Sequence, residues 1–179
     1  MLEILWHGRG GQGAFTASRL LGIAYVSEDE QYALAFPSFG PERRGAPIRA
    51  FTKLDNKPIG NRSEIKKADY SIFLDETLFD ESAFLELKEG GKIILNTTKE
   101  YDDERIITID ANKIAYEYLK APIVNTIMLG AFAKISSAID EKMIETAIKE
   151  GMPEKLHEKN IKAAFEAFSL PEKLSLKAG

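Results

Sequence analysis

The feature that most constrains the fold is a glycine-dense segment near the N-terminus, residues 7–14, with the sequence HGRGGQGA. The apolar residues 2–6 before it have the composition of a buried strand. Apolar residues recur through residues 15–26 as they do in a packed helix. A turn between a strand and a helix aims free backbone N–H groups and the positive end of the helix at an anion. The segment therefore predicts a strand–turn–helix unit suited to phosphate, although a tight turn without a ligand remains an alternative.

Gly8, Gly10 and Gly13 also match the G-x-G-x-x-G spacing of dinucleotide-binding folds. Binding of NAD in that way requires an acidic residue at the end of the second strand, where it contacts the ribose hydroxyls. Residues 36–38 occupy this place and read Phe-Pro-Ser. The sequence therefore favours a phosphate site without a nicotinamide site, and argues against a self-contained NAD dehydrogenase.

Strand and helix patterns alternate along most of the chain. Predicted strands follow at residues 32–36, 48–54, 70–74, 92–96 and 105–109. Predicted helices cover residues 79–87 (ended by Gly90 and Gly91), 110–119, 127–135 (capped by Asn125 and Thr126), 141–151 and 154–168. This order predicts an α/β fold, a layered Rossmann-like domain with a mainly parallel sheet and a helix-rich C-terminal third. We expect one domain over residues 1–168 and a tail over residues 169–179.

Composition excludes several functional classes. The 179 residues contain no cysteine and two histidines, so disulfides, Cys-ligated zinc, iron–sulfur clusters held by this chain and a multi-histidine metal site are not expected. A net charge of -4 argues against nucleic-acid binding. We see no signal peptide and no run long enough to span a membrane, and a chain without cysteine suits a reducing compartment. The expected location is cytoplasmic.

Several polar residues outside the glycine turn are candidates for a ligand site. Arg43 and Arg44 offer forked donors to phosphate or carboxylate within the proline- and glycine-rich residues 36–47, which could equally form a plain surface turn. Asp75 ends a predicted strand, so it either points into a ligand crevice or caps the next segment. Asn125 is read in the same two ways, and His7 is either an acid–base group or a packed side chain. No catalytic set of residues and no metal ligands are found, which is typical of a subunit or a binding module.

Two long motifs resemble the gamma subunit of 2-oxoacid:ferredoxin oxidoreductases, with the pyruvate and 2-oxoisovalerate enzymes nearest. They read WHGRGGQGA at residues 6–14 and AFPSFGPERRGAPIRAF at residues 35–51. DETL at residues 75–78 and NTIMLGA at residues 125–131 also look like that family's later motifs. The resemblance extends to about residue 168, and the tail departs from the family pattern.

The resemblance implies a subunit of a complex that oxidises a 2-oxoacid to an acyl-coenzyme A and carbon dioxide. Electrons then pass to ferredoxin. Thiamine diphosphate, magnesium and the iron–sulfur clusters would lie on alpha, beta and delta-type partner subunits, and this chain would supply architecture and coenzyme A binding. The predicted coenzyme A site comprises Gly8, Arg9, Gly10, Gly11, Gln12, Gly13, Arg43, Arg44 and Asn125. Two alternatives remain: the small subunit of an indolepyruvate or 2-oxoglutarate oxidoreductase, and a stand-alone module that binds coenzyme A or a nucleotide.

Overall fold

The computed structural model describes residues 1–38 and 44–170. Its strands are β1 (Leu2–Arg9), β2 (Tyr32–Pro37), β3 (Pro47–Asp55), β4 (Ala68–Phe73), β5 (Leu87–Asn96) and β6 (Ile106–Ile109). Its helices are α1 (Ala14–Val26), α2 (Ala111–Ile114, continued by a wider π turn over Ala115–Leu119), α3 (Asn125–Ser136), α4 (Glu141–Gly151) and α5 (His157–Ser169). The helix-rich C-terminal third is therefore confirmed.

The six strands form one sheet in the order β2-β3-β1-β4-β5-β6. β1 is parallel to β4, β4 to β5 and β5 to β6, whereas β3 is antiparallel to both of its neighbours. Because β2 is antiparallel to β3, it runs in the same direction as β1, and β3 alone is reversed. The prediction of an α/β domain with a mainly parallel sheet is confirmed, with one reversed strand inside it.

The two faces of the sheet are covered differently. On the first face, the helical face, Trp6, Ile72 and Ile94 are buried in a core shared with α1, α3, α4 and α5. Trp6 donates its indole N–H to Thr52 Oγ1 at 3.1 Å, so the one polar atom of this large side chain is satisfied inside the core. On the second face, the loop face, Phe73 and its neighbours pack against irregular segments instead of helices.

The predicted helix over residues 79–87 is wrong. Two short 3-10 turns occupy Glu76–Leu78 and Glu81–Glu86, and their first N–H groups are capped by Asp75 and Asp80. The aromatic residues in this stretch pack on the loop face, where the ring of Phe79 lies edge-on to Phe73 at 5.5 Å. These aromatic residues are therefore partly buried because they pack on the sheet, and not because they form the apolar face of a helix.

Gly90 and Gly91 do not end a helix, because both lie inside β5. Leu87 pairs with Ala68 and Lys92 pairs with Tyr70, so β5 has more residues than β4 between these two pairs and forms a bulge. Gly90 has a φ of 75°, which glycine tolerates, and a Cβ on Gly91 would lie 3.0 Å from Ala68 O. The glycine pair thus allows the bulge.

The remaining helix predictions agree closely with the structure. Asp110 caps α2 through Lys113 N, and Asp140 caps α4 through Met143 N. Asn125 is the first residue of α3 instead of its cap, and its Oδ1 accepts from Thr126 N at 2.9 Å. Over residues 1–38 and 44–170, no helix is long and apolar enough to cross a membrane. The predicted tail falls almost entirely outside the described residues, so its extent stays a prediction.

Candidate functional site

The candidate site lies where the sheet changes its direction of winding. From β1 the chain passes through α1 to β2 on one side of the sheet, whereas β4 lies on the other side of β1. In open α/β sheets, ligands bind in the crevice outside the carboxyl ends of the strands at such a point. The glycine turn follows the carboxyl end of β1, and Asp75 follows the carboxyl end of β4. The fold therefore brings both predicted elements to one crevice.

Backbone hydrogen bonds join the glycine turn to the segment that carries Arg44. Gly10 N donates to Ala46 O at 2.9 Å, and Gly45 N donates to Gly10 O at 3.1 Å. Gly10 and Arg44 form an isolated parallel bridge, and Arg44 is exposed beside the turn. The structure thus brings together two parts of the predicted site that are 34 residues apart in sequence, at Gly10 and Arg44. Arg43 lies outside the described residues, so its place in the site stays a prediction.

The turn ends at the start of α1 with uncapped backbone donors. Gly13 adopts a left-handed conformation with φ of 81°, and it makes no side-chain cap to the helix. Gly11 also has a positive φ, of 95°. No acidic residue lies in the first turn of α1, so the partial positive charge of this helix end is not offset from within the helix. Geometry and charge here suit an anion.

The side chains of Arg9, Gln12 and Asp75 lock the turn to the end of β4. Gln12 Oε1 accepts from Arg9 N at 2.7 Å, and Gln12 Nε2 donates to Asp75 Oδ2 at 2.9 Å. Arg9 lies with its Nε 3.3 Å from Asp75 Oδ2, and its Nη2 donates to Thr77 Oγ1 at 2.8 Å. Arg9 Nη1 also donates to Gly45 O at 3.1 Å. Arg9 and Gln12 therefore hold the turn in shape, and their predicted contact with phosphate stays a prediction.

Asp75 has the capping role that was predicted as one alternative, whereas a contact between Asp75 and a ligand stays a prediction. Its Oδ1 accepts from Thr77 N at 3.0 Å, which caps the short turn after β4, and its Oδ2 faces the crevice network. Partial burial alone would raise the pKa of Asp75, but hydrogen bonds from Thr77 and Gln12 and the charge of Arg9 outweigh burial. The net pKa is lower than the usual value, so Asp75 is ionised at neutral pH and offsets the charge of Arg9.

This shift predicts a pH dependence of stability. A carboxyl group whose pKa is lowered by folding stabilises the protein above its unfolded pKa, and that contribution is lost as pH falls through the folded pKa. We expect the free energy of unfolding to fall as the pH drops below about 4. The variant Asp75→Asn should lose part of this dependence. Urea titrations of both proteins between neutral and acidic pH check it, and parallel curves for the two would contradict a role for Asp75.

Asn125 and Gly8 both lie close to other residues of the turn or of α1. A Cβ on Gly13 would overlap the side-chain amide of Asn125, so the amide lies directly against the turn. Asn125 is buried and is the first residue of α3, so the start of α3 lies against the turn. A Cβ on Gly8 would lie 3.1 Å from the Cβ of Ala14, which explains a glycine at the close approach of strand and helix. Contact of either residue with a ligand stays a prediction.

His7 belongs to the loop face and not to the crevice. Its ring stacks on Phe73 with centroids 4.1 Å apart, and its Nε2 lies 3.0 Å from Glu86 Oε2. The contact with His7 lowers the pKa of Glu86, against the opposing effect of partial burial, and Arg49 adds to the lowering. These contacts correspond to the packed alternative for His7. In the part of the chain that the structure describes, no group of three His, Asp or Glu residues could hold a metal ion.

Comparison with known proteins defines the class of the chain. The family model described as pyruvate ferredoxin/flavodoxin oxidoreductase matches residues 3–170. The chain is 46% identical over 177 residues to the pyruvate synthase subunit PorC of Methanothermobacter thermautotrophicus, covering 97% of this chain and 98% of that protein. It is 44% identical to the common gamma subunit of the pyruvate/ketoisovalerate oxidoreductases of Thermococcus kodakarensis, covering 94% of this chain and 96% of that protein.

A solved structure is also similar throughout. The pyruvate oxidoreductase subunit PORC from Thermotoga maritima superposes with a TM-score of 0.80 at 32% identity, covering 93% of this chain and 94% of that chain. The chain therefore belongs to the pyruvate ferredoxin/flavodoxin oxidoreductase family. Within it, the prediction of a gamma subunit of a multi-subunit 2-oxoacid:ferredoxin oxidoreductase is confirmed.

Proposed function

We propose that the chain binds phosphate groups of coenzyme A at the glycine turn of this complex, in the crevice at the carboxyl ends of β1 and β4. The observation that carries the proposal is the pair of backbone bonds between Gly10 and the segment Gly45–Ala46, which set Arg44 beside the glycine turn that leads into the uncapped start of α1. Coenzyme A carries a pyrophosphate and a 3'-phosphate, so two neighbouring anion-binding elements match its chemistry.

Electrostatics supports an anion and not a cation in the crevice. Asp75 is the carboxylate nearest the glycine turn in the described network, and Arg9 offsets its charge at 3.3 Å. The end of α1 and the guanidinium of Arg44 then add positive potential. In residues 1–38 and 44–170, no carboxylate forms a salt bridge with Arg44. The side chain of Arg44 is also exposed to solvent beside the glycine turn.

The wider assignment rests on the family and on composition. In this proposal the complex oxidises pyruvate or a related 2-oxoacid, and it passes the electrons to ferredoxin. The chain has no cysteine, so it supplies no thiolate for a cluster. We assign thiamine diphosphate, magnesium and the iron–sulfur clusters to alpha, beta and delta-type partner subunits. A cytoplasmic location completes the proposal, since a cysteine-free chain suits a reducing compartment.

Arg44→Ala in the assembled complex tests the coenzyme A site. We expect the KM for coenzyme A to rise about tenfold, because an exposed charge-assisted contact to phosphate contributes about 1.5 kcal/mol. The KM for the 2-oxoacid and the rate of acceptor reduction before coenzyme A enters should not change. Steady-state kinetics with each substrate varied in turn measures both.

Arg62→Ala is the matched control. Arg62 is also exposed, but it follows β3 at the opposite end of the sheet, where Leu54 pairs with Leu2. The control should leave every constant unchanged. An Arg44→Ala complex with unaltered coenzyme A kinetics would refute a direct contact, and assays of the wild-type complex with pyruvate, 2-oxoisovalerate, indolepyruvate and 2-oxoglutarate would decide the substrate.

A further inference from the structure

The outer edge of the sheet at β2 is apolar and uncharged. Its six residues read Tyr-Ala-Leu-Ala-Phe-Pro, and each is at least partly exposed. In the described part of the chain β2 pairs only with β3, so its other side has no neighbouring strand. Soluble proteins usually protect such an edge with lysine, bulges or inward-pointing charges, because an unpaired apolar strand adds further strands. Within the described residues, only Pro37, at the end of the strand, offers such protection.

The hydrogen bonds between β2 and β3 show which backbone groups face outward. Ser38 N donates to Arg49 O at 2.8 Å, so even-numbered residues in this stretch face β3. Ala33 and Ala35 therefore direct both their N–H and C=O groups away from the sheet. The missing N–H of Pro37 also falls on this outer side. The outer edge of β2 therefore presents unpaired backbone N–H and C=O groups of residues 33 and 35, to which a further strand could hydrogen-bond.

The side chains of β2 divide between the two faces of the sheet. Ala33 and Ala35 lie against Gly22 of α1 on the helical face. Tyr32, Leu34 and Phe36 lie on the loop face, where the ring of Phe36 is 5.1 Å from that of Phe51. No helix covers this row in the described residues, and Tyr32 is 41% exposed. The row presents two aromatic residues around a central leucine.

We propose that β2 pairs with β2 of a second copy of this chain, antiparallel and across a two-fold axis at Leu34. In this register Leu34 lies opposite Leu34, and Tyr32 lies opposite Phe36, so the apolar row meets its own counterpart. Ala33 lies opposite Ala35, and the two exchange both ladder bonds. A register centred on Ala35 is worse, because it sets Ala33 against Pro37, which has no N–H to donate.

The charge near the start of β2 favours the same arrangement. Glu28, Asp29 and Glu30 are exposed just before β2. Antiparallel pairing about Leu34 places the acidic stretches of the two copies at opposite ends of the paired strands. A parallel arrangement would instead place them side by side, which disfavours it.

Sedimentation equilibrium of the full chain tests the pairing. We expect a reversible dimer, and we expect Leu34→Lys to weaken its Kd at least tenfold, because two lysines would face each other at the axis. Leu85→Lys is the matched control, since Leu85 is 73% exposed and lies on the short turn before β5. The control should dimerise like the wild type. A thermal melt checks that Leu34→Lys is folded.

Cysteine trapping tests the register, because the native chain has no cysteine to interfere. Leu34→Cys should form a disulfide-linked dimer on mild oxidation, since directly opposed residues of such a pair lie about 4.5 Å apart between Cα atoms. Ala35→Cys should not, and efficient trapping there instead of at Leu34 would overturn the register. A monomeric wild-type chain, or a dimer that survives Leu34→Lys, would overturn the proposal. The proposal would also be overturned if the isolated chain were monomeric and the only defect of Leu34→Lys were a failure to assemble with the other subunits. That result would mean that β2 contacts another subunit of the complex and not a second copy of this chain.

Discussion

Replacing Gly130 with alanine should destabilise the fold by about 3 kcal/mol, at the upper end of the cost of overpacking a core. Gly130 lies in α3 where α5 approaches most closely. A Cβ there would overlap the carbonyl oxygen of Ala164 and lie 2.9 Å from its carbon. The obstacle is backbone, so no side chain can rotate out of the way. The helices would have to separate.

Separation of the two helices is opposed by contacts on both sides of Gly130. Ala163, Ala164 and Ala167 are buried against α3. Thr126 Oγ1 also donates to Asn160 Oδ1 at 2.8 Å inside the same interface. Urea unfolding should therefore show a lower midpoint, and the melting temperature should fall by about 6–12 °C.

Gly22→Ala is the control for Gly130→Ala, because Gly22 is also a glycine inside a helix. Its added Cβ would meet Ala33 and Ala35 at 3.6 and 3.7 Å, which is ordinary contact. This variant should be neutral or stabilised by up to about 1 kcal/mol, since alanine has the higher helix propensity. If both variants were equally stable, the close approach of α3 and α5 would be wrong.

Gly13→Ala should have the largest effect on coenzyme A, raising its KM about a hundredfold in the assembled complex, or about 2.7 kcal/mol. Two costs combine at this position. The φ of 81° strains any residue with a Cβ by about 1–2 kcal/mol, and the new Cβ would overlap the amide of Asn125. Relief of the backbone strain requires the turn to move, which displaces the N–H groups proposed to bind phosphate.

Two further variants separate strain from overlap. Gly11→Ala has a φ of 95° but no atom within 4 Å of its added Cβ, so it should show strain alone. Gly13→Ala combined with Asn125→Ala should recover part of the lost stability without restoring coenzyme A binding. Unaltered coenzyme A kinetics in a correctly assembled Gly13→Ala complex would show that the turn does not bind the phosphate.

Sequence patterns predicted the local elements well and failed where contacts override them. The turn at residues 7–14, α1 and the cap of α4 at Asp140 were predictable because each depends on neighbouring residues. Residues 79–87 were not, because Phe79 packs edge-on against Phe73 on the loop face and not within a helix. Gly90 and Gly91 were misread for a similar reason. A bulge depends on the partner strand, which periodicity in β5 alone cannot reveal.

For the candidate site too, some residues were predictable from the sequence and others were not. Its glycines and Arg44 were identified in the sequence, but the roles of Arg9 and Gln12 as braces for the turn were not. Both roles depend on Asp75, which follows a strand more than 60 residues later, with Gln12 Nε2 2.9 Å from its Oδ2. Spacing in sequence carries no information about which polar side chains share a crevice.

By itself, the sequence determined the family, the strand–turn–helix unit around Gly13 and the absence of cysteine ligands. These follow from residue types and short-range spacing. Only the tertiary structure decided that Gly10 is bonded to the segment beside Arg44, that Asp75 holds Arg9, and that β2 is an unprotected edge. The order of strands in the sheet sets all three, because it brings together residues that the chain separates and, among the described residues, leaves β2 with a neighbouring strand on one side only.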